Sequence, residues 1–242
     1  MINKQQLARF INKYYLNGTV ESVVFNSDTR NQQLGTRFVS SDKSLLGEVK
    51  MDDWQYEDAD IGVYDTEQLL RLLSVLDDKI EFSINKAGDK SISVKLSDAL
   101  SSVNYILSDT SIINKPPQLK TIPDFELSIN VTSQFINKFI SGKSALTETD
   151  TFTVITDETS AKLVIGYSPI NTNRVVIPVT TTTFENIDNI SFNANLFKEV
   201  LYANKECESA LLEVSSEGLA KISFKVDNFT STYWLVAIQD VD

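Results

Sequence analysis

Acidic residues are the side chains in this sequence most able to do chemistry, because several stand side by side. Closely spaced carboxylates occur in four groups: Asp52 and Asp53; Glu57, Asp58 and Asp60; Asp77 and Asp78; and Asp240 to Asp242. Paired carboxylates at suitable spacing can hydrolyse a glycoside or hold a divalent cation. None of these groups matches the calcium-loop pattern of an EF-hand. We interpret them as solvated acidic loops, and a carboxylate-based hydrolase is the enzyme alternative.

The tripeptide Gly142-Lys143-Ser144 resembles the end of a phosphate-binding loop. That motif needs a glycine five residues before the first of these, and position 137 is Asn. A phosphate-binding loop also opens a helix, whereas this tripeptide follows a helical pattern. We therefore predict that no nucleotide binds here and that Gly142 marks a helix end.

Two absences restrict the chemistry further, since the chain has no histidine and its only cysteine is Cys207. These absences exclude a Ser-His-Asp triad, a histidine base and a structural zinc cluster. We predict that the protein is not an enzyme and uses no metal or cofactor. A single cysteine forms no intrachain disulfide, and no segment approaches the roughly 18 apolar residues of a membrane span. A cytoplasmic location without membrane partners is the expectation.

Hydrophobic periodicity divides the 242 residues into short helices and strands. Apolar residues recur at helical spacing in four stretches, residues 4–16, 66–76, 132–146 and 193–205. Short alternating runs predict strands at residues 79–84, 91–96, 162–167, 174–179, 220–226 and 232–238. The pattern is typical of an α+β protein with mostly antiparallel strands.

The two halves of the chain show one order of elements. Leu7 and Phe135 are separated by 128 positions, and so are Leu69 and Phe197, which indicates a tandem duplication. The segment from residue 109 to residue 124 contains three of the five prolines and no amphipathic period. We interpret that segment as an extended linker between two similar domains.

Positive charge is concentrated on the predicted helices. Those four stretches contain eight basic and two acidic residues, whereas the rest of the chain has 14 basic and 31 acidic residues, for a net charge of −11. The basic residues lie mainly off the apolar stripes, so the sequence predicts a positive outer helix surface and an acidic sheet surface. A positive surface on a curved sheet is suited to binding nucleic acid, although the chain as a whole is acidic.

Three segments, Ile61 to Leu76 (IGVYDTEQLLRLLSVL), Asn114 to Pro123 (NKPPQLKTIP) and Tyr233 to Ile238 (YWLVAI), resemble the two-domain sliding clamps. The resemblance is strongest to clamps of tailed phages with T-even-like replication systems, relatives of proliferating cell nuclear antigen. It implies an α+β fold with two similar DNA-clamp domains in tandem, antiparallel sheets outside and short helices lining one face. It places clamp domain 1 at residues 1–112, the interdomain linker at 113–124 and clamp domain 2 at 125–242.

The family resemblance also implies a function. Such a chain is a DNA polymerase processivity factor: it forms a homotrimeric ring around double-stranded DNA, tethers a replicative DNA polymerase and is loaded by a clamp loader ATPase. If the protein is phage-encoded, its place is the host cell cytoplasm. The implied DNA-facing residues are the eight basic residues of the predicted helices: Lys4, Arg9, Lys13, Arg71, Lys138, Lys143, Lys198 and Lys205.

Sliding clamps take short apolar tails of their partners beside the linker and the last strand. By position, the implied partner-peptide pocket consists of Ile113, Pro117, Leu119, Trp234, Val236 and Ile238. The alternative for Trp234 and Val236 is a place in the core. For the whole protein, the alternative function is a non-enzymatic phage or bacterial structural or assembly protein, with incidental basic helices.

Overall fold

The structure, a computed structural model, describes residues 1–88, 90–119, 121–170 and 172–238. The chain separates into two compact units. Unit 1 comprises residues 1–41 and 47–116, and unit 2 comprises residues 42–46 and 117–242. The change from one unit to the other after residue 116 falls within the predicted linker, while the domain limits at residues 112 and 125 stay predictions.

Unit 1 is built from two antiparallel sheets and two α-helices. One sheet has the strand order β1-β6-β7-β8, and the other has the order β4-β3-β2-β5. The elements are β1 (Ile2–Asn3), α1 (Lys4–Tyr15), β2 (Val23–Asp28), β3 (Gln33–Val39), β4 (Leu45–Asp52), β5 (Ala59–Val63), α2 (Thr66–Ser74), β6 (Lys79–Ala87), β7 (Lys90–Ser97) and β8 (Ser102–Ile106).

Unit 2 has the same plan with one additional short strand. Its sheets have the orders β12-β11-β10-β14 and β13-β9-β15-β16-β17. The elements are β9 (Leu127–Thr132), α3 (Ser133–Ala145), β10 (Thr151–Thr156), β11 (Ala161–Ile165), β12 (Val175–Val179), β13 (Thr181–Thr183), β14 (Ile190–Asn193), α4 (Ala194–Ala203), β15 (Ser209–Ser215), β16 (Leu219–Val226) and β17 (Phe229–Val236).

The two units share one topology apart from a single short strand. Strands β1, β6, β7 and β8 of unit 1 correspond to β9, β15, β16 and β17 of unit 2, and β4-β3-β2-β5 corresponds to β12-β11-β10-β14. The strand β13, which extends the edge of β9, has no counterpart in unit 1 among the described residues. The predicted α+β fold with two similar tandem domains is therefore confirmed.

Polar side chains fix where each of the four helices begins. Asn3 Oδ1 accepts a hydrogen bond from the Gln5 N–H at the start of α1, and Asp65 Oδ1 accepts one from the Gln68 N–H at the start of α2. Thr132 and Asn193 cap α3 and α4 in the same way. Asparagine, aspartate and threonine are preferred at this position because they satisfy free N–H groups of the first turn.

Aromatic side chains fill the space between helices and sheets in both units. In unit 1 the ring of Phe10 on α1 meets Phe25 on β2 edge to face at 5.2 Å between centroids. In unit 2 Phe139 on α3 meets Phe197 on α4 edge to face at 4.8 Å, and Phe152 on β10 stacks on Phe197. Each unit thus holds its two helices against its sheets by one apolar core. No helix in the described ranges is long and apolar enough to cross a membrane.

Candidate nucleic-acid interface and partner pocket

Three of the predicted DNA-facing cations are exposed: Arg71 on α2, Lys138 on α3 and Lys205 just after α4. Arg71 Nη1 lies 3.1 Å from Glu67 Oε1, one helical turn away. Lys205 Nζ lies 4.4 Å from the centre of the Tyr202 ring, a cation–π contact at the surface. All three leave positive charge in solvent, where a phosphate can reach it.

Three further cations, Lys4, Arg9 and Lys198, are partly exposed. Lys4 Nζ donates a hydrogen bond to the Leu76 carbonyl oxygen just beyond α2, so this ammonium group ties the two helices of unit 1 together. Lys198 Nζ lies 3.8 Å from Glu199 Oε1. Burial raises the pKa of Glu199, and the neighbouring Lys198 charge opposes that rise.

The remaining two cations do not face solvent, and their assignment to the DNA-facing surface is wrong. Lys13 is 1% exposed and Lys143 is 4% exposed. Lys143 Nζ donates hydrogen bonds to the carbonyl oxygens of Leu146 at 3.3 Å and Thr147 at 3.2 Å. A lysine near a helix end satisfies carbonyls that have no partner inside the helix and complements the helix dipole. Lys143 therefore stabilises the end of α3.

The spacing of the apolar residues contained a signal for this burial. Lys143 follows Ile136 by seven positions and Phe139 by four, so it lies on the apolar stripe of α3. Lys13 follows Phe10 by three positions, at the border of the stripe on α1. Assigning all basic residues to the outer faces overlooked that a lysine can cross an apolar surface to reach polar groups.

Asp58 of the acidic groups, and Asp28 outside them, accept hydrogen bonds from nearby residues. Asp58 accepts a hydrogen bond from the Thr29 N–H, and Asp28 accepts two from the backbone and side chain of Asn31. These hydrogen bonds lower the pKa of both carboxyl groups. Within the described ranges, no group of three or more His, Cys, Asp or Glu residues could hold a metal ion. The group Asp240 to Asp242 lies outside the described residues.

On the last strand, the predicted pocket residues point outward. Along β17 and its continuation, Tyr233 and Leu235 are buried, whereas Trp234 is half-buried and Val236 and Ile238 are 49% and 41% exposed. This alternation follows from the two-residue period of a strand. The alternative was that Trp234 and Val236 belong to the core. It is wrong for Val236, which is exposed, while Trp234 is half-buried and borders solvent.

Of the predicted linker residues, Pro117 and Leu119 in unit 2 are exposed, but Ile113 in unit 1 is only 4% exposed. The Ile113 side chain packs on the backbone of Gly62, where an added Cβ would come within 3.3 Å of Ile113 Cδ1. The prediction that Ile113 lines the partner-peptide pocket is therefore wrong, because its side chain is packed in the core of unit 1.

Three residues that lie close to one another, Lys221, Glu213 and Phe125, were not predicted as part of any site. Lys221 on β16 is the cross-strand partner of both Trp234 on β17 and Glu213 on β15. Lys221 Nζ lies 2.7 Å from Glu213 Oε2 and 5.7 Å from the centre of the Phe125 ring. The register of β15, β16 and β17 places Glu213, Lys221 and Trp234 in one row across the sheet.

Two tandem units of matching strand order apart from β13, each with two helices and antiparallel sheets, define the sliding-clamp class of fold. The proliferating cellular nuclear antigen of Entamoeba histolytica, a solved structure, matches 98% of this chain and 96% of its own chain with a TM-score of 0.75. The two sequences are 12% identical, so the match shows the fold. No protein-family model matches the sequence, and no curated protein does.

Proposed function

We propose that three copies of this chain join head to tail into a ring that encircles duplex DNA and tethers a replicative DNA polymerase for processive synthesis. One observation carries the proposal: equivalent edge strands of the two units differ in whether a backbone covers them. An uncovered edge strand is a template for pairing with another chain.

In unit 2 the outer edge of β17 is covered, because the Val236 N–H donates a hydrogen bond to the Ser44 carbonyl oxygen at 2.9 Å. The equivalent strand of unit 1, β8, ends its sheet and pairs only with β7 among the described residues. Ile106 on this edge strand is 69% exposed. Strand β8 therefore holds the same position in unit 1 as β17 does in unit 2, but among the described residues no backbone covers its outer edge.

The complementary edge lies on unit 2. Strand β12 corresponds to β4, the strand that begins directly after Ser44, and within the described ranges it pairs only with β11. Val176 on this strand is 47% exposed, and Pro178, which has no N–H to donate, is typical of a strand at the edge of a sheet. Pairing β8 of one chain with β12 of the next would cover both edges. A head-to-tail contact of this kind closes into a ring after a fixed number of copies, and six clamp domains require three chains.

The charge distribution supports DNA as the molecule inside the ring. Arg71, Lys138 and Lys205 carry exposed positive charge on or next to helices, while the chain as a whole has a net charge of −11. Few phosphate contacts suffice for a protein held on DNA by its topology, and weak contacts exchange readily during sliding. An acidic exterior favours DNA in the pore over DNA outside it. Closing such a ring around DNA calls for an ATP-driven loader as a second partner.

The test is the molar mass in solution, followed by retention on DNA. Light scattering during size-exclusion chromatography separates a 27.1 kDa monomer from a trimer of about 81 kDa, three times that mass. We expect the trimer, and we expect loaded protein to stay on closed circular DNA and to leave linear DNA through its ends. A strict monomer at high concentration would contradict the ring and leave a structural or assembly protein as the better interpretation.

A further inference from the structure

An aromatic side chain stands on the solvent face of α4 with a lysine beside it. Tyr202 is 53% exposed, and Lys205 Nζ lies 4.4 Å from the centre of its ring. Lys198 precedes Tyr202 by four positions, which puts both on one side of the helix, and it is partly exposed. One lysine thus precedes the exposed ring along this side of α4, and another follows it.

The equivalent helix of unit 1 lacks this arrangement. A shift of 128 positions leads from Tyr202 to Ser74 on α2. The same shift leads from Lys205 to Asp77, so the charge there has the opposite sign. Both unit 1 residues are exposed, as their counterparts in unit 2 are. The shared fold therefore does not require an aromatic ring and a lysine at these positions, and their presence in unit 2 indicates a role at the surface.

An exposed aromatic ring next to an ammonium group suits an unpaired nucleotide. Any nucleobase can stack on a tyrosine ring, and a neighbouring phosphate accepts hydrogen bonds from a lysine. In a duplex the bases stack on one another, so the ring can cover a base only where a strand is unpaired.

Two acidic residues limit where a phosphate can lie. Glu199 Oε1 lies 3.8 Å from Lys198 Nζ and competes with phosphate for this lysine. Glu206, next to Lys205 in the sequence, is exposed. Phosphate binding therefore depends mainly on Lys205, and stacking on Tyr202 supplies most of the affinity.

We propose that Tyr202 and Lys205 bind an unpaired nucleotide of single-stranded DNA, with its base stacked on the Tyr202 ring and the adjacent phosphate paired with Lys205. The inference deepens the proposed function and rests on it, because DNA must lie against the solvent faces of the helices. Such a site makes the protein dwell where duplex DNA gives way to a single strand, as at the junction of a primer with its template. Tyr202 provides the preference for unpaired bases, and Lys205 provides the attraction for phosphate.

The probe is an oligothymidylate of about ten nucleotides, short enough to reach the helices of an open or a closed ring. Tyr202→Ala should weaken its binding to the full-length protein about tenfold, whereas Tyr202→Phe keeps the ring and should bind within about twofold of the wild type. The matched control is Tyr64→Ala, which removes a tyrosine of similar exposure, 56%, from unit 1 and should leave binding unchanged. Equal affinities of the wild type and Tyr202→Ala, an equal loss for Tyr64→Ala, or no binding by the wild type would each overturn the inference.

A strand without bases separates stacking from charge. An abasic oligonucleotide of the same length keeps the phosphates, so the wild type and Tyr202→Ala should bind it alike. Lys205→Gln should weaken binding to both the abasic strand and oligothymidylate, because it removes a phosphate contact. A loss for Tyr202→Ala that is as large on the abasic strand as on oligothymidylate would show that the ring only positions Lys205, and it would overturn the stacking.

Photo-crosslinking identifies the residue in contact with the base. Oligothymidylate with a single 5-iodouracil should crosslink to the peptide that contains Tyr202, and crosslinks found only elsewhere would overturn the site. The molar mass and the retention on circular DNA are measured separately. A trimer that stays on circular DNA but fails these tests keeps its proposed function and loses only this site, whereas a monomer that binds the strand through Tyr202 keeps the site and loses the ring.

Discussion

Tyr14 Oη lies 3.0 Å from Thr66 Oγ1, and this hydrogen bond joins α1 to α2 inside unit 1. The Thr66 hydroxyl donates in turn to the Glu21 carbonyl oxygen at 2.7 Å, so the Tyr14 hydroxyl is the donor to Thr66. A shift of 128 positions leads to Gly142 and Ala194, which have no polar side chain. The two units therefore fix their helix pairs by different means, a hydrogen bond in unit 1 and an edge-to-face pair of phenylalanines, Phe139 and Phe197, in unit 2.

Tyr14→Phe should destabilise the protein by about 1 kcal/mol, because it removes one buried hydrogen bond while Thr66 keeps its bond to Glu21. Urea unfolding at neutral pH measures the change. In unit 2, Phe139→Leu should leave the Tyr14 bond intact and cost more, since it opens a cavity among aromatic rings. An unchanged unfolding midpoint for Tyr14→Phe would contradict a stabilising bond.

Alkaline pH should destabilise the wild-type protein through the same tyrosine. Burial raises the pKa of Tyr14 far above its ordinary value near 10. The unfolded chain loses this proton near pH 10 and the folded chain keeps it, so the stabilisation is complete below about pH 10 and falls as the pH rises further. Tyr14→Phe should show a shallower loss above pH 10, and other tyrosines whose pKa burial raises, Tyr233 among them, contribute to the remainder. Parallel pH profiles of the two proteins would contradict the assignment.

Lys143→Met should destabilise the protein by about 1 to 2 kcal/mol, because the carbonyl oxygens of Leu146 and Thr147 lose their donor. The matched control is Lys138→Met on the same helix, which is exposed and should change stability by less than about 0.5 kcal/mol. Chemical denaturation compares the two variants. Equal effects of both substitutions would contradict the structural role of Lys143.

Asp98→Ala should destabilise the protein at neutral pH and have little effect in strong acid. The backbone N–H groups of Asp77, Leu100 and Ser101 donate to this carboxylate and lower the pKa of Asp98 to about 2. A carboxyl group whose pKa is lower in the folded protein than in the unfolded chain stabilises the fold at pH values above the unfolded pKa, which is near 4. This stabilisation is lost as the pH falls toward 2. Unfolding midpoints measured from pH 7 to pH 2 should therefore converge for the two proteins, and a constant gap would contradict the prediction.

Charged substitutions on the two edge strands should dissociate the proposed trimer. Ile106→Glu on β8 or Val176→Lys on β12 puts a charge into the proposed interface, and each should shift the molar mass toward 27.1 kDa. Tyr202→Glu, an exposed change on α4, serves as the control and should stay trimeric. The double variant should recover part of the trimer, because its two introduced charges are opposite. A control that becomes monomeric while the two edge-strand variants stay trimeric would contradict the edge pairing.

Charge reversal at Arg71, Lys138 or Lys205 should shorten retention on closed circular DNA. It should also make DNA binding less dependent on salt: the slope of log affinity against log salt concentration should fall by about one for each phosphate that the variant no longer neutralises. The control is Lys95→Glu, which has the same charge change at an exposed site on β7. Dwell time over a salt series measures the effect. Equally short retention for Lys95→Glu would indicate a general charge effect rather than a helix surface facing DNA.

Much of the fold could be predicted from the sequence, because local periodicity determines which residues form helices and strands. The residues 66–76 carry the spacing of an amphipathic helix, and the structure has a helix at Thr66–Ser74. The 128-residue offset between Leu69 and Phe197 predicted the duplication, and the two units repeat one strand order. Similar patterns fold into similar domains even where the sequences of the two halves have diverged.

The placement of individual side chains was decided by tertiary structure. The charge of Lys143 led to its assignment to a basic outer face, but its side chain is buried and donates to the carbonyl groups of Leu146 and Thr147 at the end of α3. Ile113 lies in a proline-rich segment that indicates an exposed linker, yet its side chain packs beside Gly62 in unit 1 and is 4% exposed. Lys221, Trp234 and Glu213 form one row only through the register of β15, β16 and β17. A sequence encodes the period of each element, whereas the neighbours across a sheet or beyond a helix end arise only when distant segments pack.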